Sequence, residues 1–263
     1  MTSTKKITKD RIKPAVRWPG GKSRLLKELL PLIPPHTCYV EPFAGGLAML
    51  LAKAPSPIEV INDINHDLVG FYRCVRFHRD ELLTELEFVL NSREEFNDFR
   101  QQPGLTDIQR AARWFFRNKT CFGGANLDVF GTSATTAMSS RAARMEAIRA
   151  LNYRLDKTTI EHRDWQQVMK LYDRSETFFF IDPPYTGCKI PMYDEWEIND
   201  VRRMRDFLFT LKGKWLLTFN DIPEIRRIFD GCEIKGVARH RGVNNKQGAK
   251  IYRELIIRPG GRL

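Results

Sequence analysis

Phe178-Phe179-Phe180-Ile181-Asp182-Pro183-Pro184-Tyr185 is the stretch on which the reading of this chain turns. Thr177 to Ile181 is an unbroken β-branched and aromatic run, the pattern of a strand buried on both faces of a parallel sheet. The run stops at Asp182. Two successive prolines have no N–H to donate and fix φ, so the chain leaves the sheet in a rigid extended turn. That turn presents a carboxylate, the Pro183 carbonyl and the Tyr185 ring together at the carboxyl end of a strand, where open α/β sheets keep their chemistry. Asp-Pro-Pro can also simply end a strand. An aromatic residue straight after two prolines is unusual in a polar turn and favours the functional reading.

Upstream, Thr37 to Glu41 reads as another buried strand, followed by Pro42-Phe43-Ala44-Gly45-Gly46 and a helix from Leu47 to Lys53. A further strand, Ile58 to Ile61, ends at Asn62-Asp63. Strand, glycine turn, helix, strand and terminal acid make the first half of a Rossmann-like unit, in which glycine lets a ligand approach the backbone and the acid binds ribose hydroxyls. Gly45 and Asp63 are the residues so placed. Before them, Arg17-Trp18-Pro19-Gly20-Gly21-Lys22-Ser23 precedes a predicted helix with Leu25, Leu26, Leu29, Leu30 and Ile33 on one face. A triphosphate loop would need glycine where Val16 stands, and no strand leads in. Flexible glycines and a lysine at a helix start still suit a single carboxylate.

From Asn65 to about Arg154 the apolar residues recur at helical spacing, with Leu68, Phe71, Tyr72 and Val75 followed by Leu82, Leu83 and Leu86. This is too long for one crossover. We expect an inserted, mainly helical subdomain over residues 65–145, dividing the catalytic domain into 1–64 and 146–263. Trp114 and Phe115 are expected in its core. Arg117 to Gly124 mixes base-capable side chains with close-approach glycines, which makes Arg117 and Asn118 candidates for reading DNA bases.

The αβ alternation resumes with Thr158 to Ile160, leading to Arg163-Asp164-Trp165, and continues through the Asp182 strand to strands at Trp215–Phe219, Glu233–Val237 and Ile251–Ile257. Between the last two lies a basic turn with Arg239, Arg241, Lys246 and Lys250. Such a turn can be a plain solvated hairpin, but its charge suits phosphate contact through Arg241 and Lys246.

Composition agrees. The 263 residues carry 43 Lys and Arg against 32 Asp and Glu, a net charge of +11, which favours a polyanionic partner. The five cysteines are scattered without a paired spacing, so neither a disulfide framework nor a zinc site is indicated, and reduced thiols in a cytosol are expected. Met1 to Lys13 is polar and reads as a disordered tail rather than a signal peptide, and no apolar run is long enough to span a membrane.

Taken in order, Trp18-Pro19-Gly20-Gly21-Lys22, Pro42-Phe43-Ala44-Gly45-Gly46, Asp63, Asp164 and Asp182-Pro183-Pro184-Tyr185 resemble the Dam-like group of DNA adenine-N6 methyltransferases, over nearly the whole chain. The resemblance implies a Rossmann-like S-adenosylmethionine-dependent fold with an inserted target-recognition part, acting on double-stranded DNA in a bacterial, phage or prophage cytoplasm. It implies cofactor contacts from Trp18, Lys22, Phe43, Gly45, Asp63 and Asp182, with Asp164 at the adenine amino group of the cofactor. It implies catalysis by Asp182, Pro183 and Tyr185. Phe122 to Gly131 departs from the longer hairpin of members that read GATC, so that word is not carried over.

The chemistry suits those residue types. An exocyclic adenine amine has its lone pair delocalised into the ring, and two acceptors on its N–H groups favour a pyramidal, nucleophilic nitrogen. The base must leave the duplex to reach them, and Tyr185 offers a stacking face. No metal is needed for transfer from a sulfonium. The rival enzymes are methyltransferases for RNA adenine or for protein glutamine; the latter favour Asn where Asp182 stands. An idle DNA-binding module would need only the basic surface.

Overall fold

The computed structural model describes residues 12–121, 127–132, 138–188, 192–240 and 251–260. Its seven strands are β1 (Cys38–Glu41), β2 (Ile58–Asn62), β3 (Thr158–Glu161), β4 (Thr177–Ile181), β5 (Lys214–Asn220), β6 (Glu233–His240) and β7 (Ile251–Arg258). They form one sheet in the order β3-β2-β1-β4-β5-β7-β6, parallel from β3 through β5, with β7 antiparallel to both its neighbours. Succession runs outward from β1 through β2 to β3 and, on the other side, from β4 to β5. The order therefore reverses between β1 and β4, and the crevice at their carboxyl ends is the topological switch point.

The phenylalanine run of β4 is buried throughout because it feeds two cores. Side chains alternate across a strand, so Phe178 and Phe180 join one layer while Phe179 and Ile181 join the other. On the first face lie α1 (Leu26–Leu29), α2 (Ala48–Ala52) and α3 (His66–Phe77); on the second lie α8 (Trp165–Tyr172), α9 (Ile198–Leu208) and α10 (Pro223–Ile228). Between β2 and β3, among the described residues, the chain is helical: after α3 come α4 (Arg79–Glu87), α5 (Arg93–Gln101), α6 (Asp107–Thr120) and α7 (Arg141–Leu155). Asn65, Ser92, Thr106 and Ser140 cap α3, α5, α6 and α7 by accepting from first-turn amides, which is why these short polar residues punctuate the helical stretch.

Trp114 and Phe115 of α6 are buried, and their core is continuous with the first face of the sheet. Residues 145 and 146 fall within α7, a single helix that runs unbroken from the inserted helices to the turn before β3. The expected continuous helix after Ser23 is instead three short pieces, with 3₁₀ turns at Lys22–Arg24 and Leu30–Leu32 flanking α1. Pro31 accounts for the second break: it offers no N–H to an α-helical ladder. The tail before residue 12 lies outside the described residues.

Candidate active site

At the switch point Asp182 meets Lys22. Lys22 Nζ stands 2.6 Å from Asp182 Oδ1 and 2.7 Å from Oδ2, and it also donates to the Gly20 carbonyl at 2.7 Å. The lysine side chain is 3% exposed and the aspartate 20%, so the pair is sealed on the lysine side and open on the carboxylate side. Thr218 of β5 donates to Asp182 Oδ1 at 2.8 Å. Tyr185 stacks on Phe219 with centroids 5.2 Å apart, and its hydroxyl lies 3.4 Å from both Asp182 Oδ1 and Glu254 Oε2, with one proton to donate to either. Lys22 Nζ lies 4.9 Å from the centre of the Tyr185 ring, within cation–π range. Lys22, Asp182, Tyr185 and Glu254 line a cavity of about 290 Å³ together with Trp18, Phe43, Gly45 and Asp63.

The glycine turn has a more specific cause than open access. Gly45 has φ +44°, and a Cβ there would stand 2.7 Å from Trp18 Cδ1, so the indole occupies the space that a side chain would fill. Trp18 also touches Trp114 of α6 and, edge on, Tyr193. The turn is tied down by Asp63, whose Oδ2 accepts from Gly45 N at 3.0 Å and whose Oδ1 accepts from Asn65 N at 3.0 Å and from the Tyr193 hydroxyl at 2.8 Å. Burial raises the Asp63 pKa, and those same hydrogen bonds pull it back.

Asp164 lies beyond Tyr193. It is exposed, caps α8 by accepting from Gln166 N at 2.9 Å, and lines a second cavity of about 250 Å³. Phe43, Pro184 and Tyr193 line both cavities. The ends of β1, β2 and β3 are laced together by Asn62, which donates to the Pro42 and Arg163 carbonyls and accepts from Arg163 N.

The structure turns both predicted base readers, Arg117 and Asn118, toward the chain itself. Asn118 is fully buried, and its amide clasps the backbone of Arg17: Nδ2 donates to Arg17 O and Oδ1 accepts from Arg17 N, each at 2.8 Å. Arg117 is half-buried and gives Nε and Nη2 to the Leu127 carbonyl. Both side chains have their polar groups turned to the protein itself, because a helix face packed on another chain segment has no water to satisfy them. Arg241 and Lys246 lie outside the described residues.

Four lining or supporting residues escaped the sequence reading. Glu41 ends an otherwise apolar strand and Glu254 is a buried acid beside the apolar run Leu255 to Ile257, a signal that could have been used. Glu41 Oε1 accepts from Tyr39 Oη at 2.6 Å and Leu50 N at 2.7 Å, and burial lifts its pKa to about 7. Thr218 and Tyr193 carry no local signal.

Residues 18–243 match the model of the D12 class N6 adenine-specific DNA methyltransferases. The chain belongs to that family. The methyltransferase is 26% identical to the type II methyltransferase M.MjaIII of Methanocaldococcus jannaschii, over 94% of this chain and 99% of that protein. It is 26% identical to the type II methyltransferase M.CviBI of Paramecium bursaria Chlorella virus NC1A, over 84% and 87%. With a DNA adenine methylase of Haemophilus influenzae it shares 21%, over 95% and 94%. Its reaction is thus methylation of adenine N6 in DNA, on the mostly parallel α/β sheet that the strand pattern predicts. Among the described residues no helix is long and apolar enough to cross a membrane.

Proposed function

We propose that the methyltransferase uses S-adenosylmethionine and acts on an adenine swung out of double-stranded DNA, with Asp182, Pro183 and Tyr185 as the groups that touch the base. The carrying observation is the Asp182 carboxylate, which is braced by Lys22 and Thr218 yet still open to a cavity lined by Gly45, Asp63 and Trp18. The donor set fits the cofactor: acids at the ends of β2 and β3 suit hydroxyls and an amino group, Lys22 suits a carboxylate, and the cavity is at the small end of ligand sites, which run from about 300 Å³. Trp18, Lys22, Phe43, Gly45, Asp63, Asp164 and Asp182 would hold it, and when bound it supplies an electrophilic methyl on a sulfonium.

The chain's own part is positioning and charge. Asp182 and the Pro183 carbonyl accept the two N–H groups of the adenine amine, favouring a nitrogen whose lone pair is free to attack. Thr218 and Lys22 fix the carboxylate so that little reorganisation is left for the transition state. Tyr185, set by its stack on Phe219, offers its ring to the extruded base. Residues 65–145, which carry α3 to α6 and the start of α7, are the proposed target-recognition part, and the basic turn with Arg241 and Lys246 is the proposed phosphate contact. Incubating mixed-sequence DNA with purified protein and S-adenosylmethionine, then reading modified bases at single-base resolution, tests this. N6-methyladenine at one recurring word is expected; modification of cytosine alone, or none without a further cofactor, would defeat it.

A further inference from the structure

Asp63 is 3% exposed, and its carboxylate is already engaged by Gly45 N, Asn65 N and Tyr193 Oη, with Ile64 N as a further donor. An ionised carboxylate has about four acceptor positions, so with Ile64 N counted none is left open. Resting on the cofactor reading above, a ribose brings two vicinal hydroxyls to this acid. The Gly45 and Asn65 amides are not available to leave, since one belongs to the glycine turn and the other to the residue that caps α3. Tyr193 differs from them. It is half-buried, stands between the catalytic motif and α9, and lines both the Asp182 cavity and the Asp164 cavity. Its ring meets Trp18 edge on, with centroids 6.0 Å apart.

We propose that Tyr193 sets cofactor affinity by occupying, through its hydroxyl on Asp63 Oδ1, the acceptor that a ribose hydroxyl needs, so that binding exchanges one hydroxyl for the other and joins the two cavities. The free protein thereby keeps a buried acid satisfied, at a cost to affinity equal to the hydrogen bond given up. Tyr193→Phe retains the ring on Trp18 and deletes the hydroxyl, which is both the competing donor to Asp63 and an acceptor for the Trp18 indole N–H, and the dideoxy control separates the two.

The experiment is calorimetric titration of S-adenosylhomocysteine into wild type, Tyr193→Phe and Asp63→Asn, with thermal melts to establish folding, repeated with the 2′,3′-dideoxy analogue. Tyr193→Phe is expected to bind the ribose compound about fivefold more tightly, the scale of one net hydrogen bond, and the dideoxy analogue no differently from wild type. Asp63→Asn is expected to bind the ribose compound at least about tenfold more weakly. An unchanged or weakened Tyr193→Phe beside a weakened Asp63→Asn would overturn the exchange and leave the ribose site standing. Equal tightening of both compounds would overturn it too, because the gain would then come from ring packing. Wild-type affinity in a folded Asp63→Asn would remove the ribose assignment and the exchange with it.

Discussion

Lys22 Nζ and Asp182 Oδ1 stand 2.6 Å apart although 160 positions separate the two residues in the chain. The contact joins the glycine-rich segment before β1 to the motif after β4, directly across the switch point. A buried ammonium held by one carboxylate and one carbonyl is costly to leave unpaired, so each residue holds the other in place.

The first prediction concerns that carboxylate. Asp182→Asn should lower kcat by roughly a hundred- to a thousandfold while the protein still folds, because removing one oriented transition-state group costs on the order of 3–4 kcal/mol. Tyr185→Ala should cost less, since the acceptors remain. Single-turnover methylation of a duplex, read beside near-UV circular dichroism, checks both. A folded Asp182→Asn enzyme within tenfold of the parent would be incompatible with the role proposed.

Asn118→Ala separates anchoring from base reading. It strips both hydrogen bonds from the Arg17 backbone and loosens Trp18 against Gly45. Weaker S-adenosylhomocysteine binding by roughly tenfold, with the same adenines methylated, is the expected pattern. A changed site profile at unchanged cofactor affinity would restore Asn118 as a reader.

Glu41 gives a pH signature. Its folded pKa, lifted to about 7 by burial, exceeds the ordinary value of 4.5, so the native state binds the extra proton. Stability from this group is fully present below about pH 4.5 and is lost as pH rises through about 7, by roughly 3 kcal/mol at most. Glu41→Gln keeps an oxygen for Tyr39 and Leu50 and removes the titration. Denaturant melts from pH 5 to 8 should therefore fall more steeply for wild type than for the variant; parallel curves would contradict the assignment.

Phosphate contact by the basic turn predicts a salt signature. Arg241→Ala and Lys246→Ala should each weaken binding to all DNA sequences alike and reduce the slope of log affinity against log salt by about 0.9, one phosphate's share of released counterions. Fluorescence anisotropy at several salt concentrations measures it. An intact slope with an altered methylation profile would mean that the turn reads bases.

β4 was legible to the residue, from Thr177 to Ile181, because burial on both faces writes an unbroken apolar run and two prolines write its end. The Asp63 strand end and the helical stretch after it were legible for the same kind of reason, since periodicity and caps are local. Partners of polar side chains are not. Asn118 sits in a segment rich in Arg, Lys and Gly that suggests DNA, yet its amide is consumed by Arg17 on a distant strap, while Tyr193, in a loop without any motif, closes on Asp63. A hydroxyl or amide bonds with whatever the fold brings within about 3 Å, and that neighbour is set by how distant segments pack, not by the residues on either side.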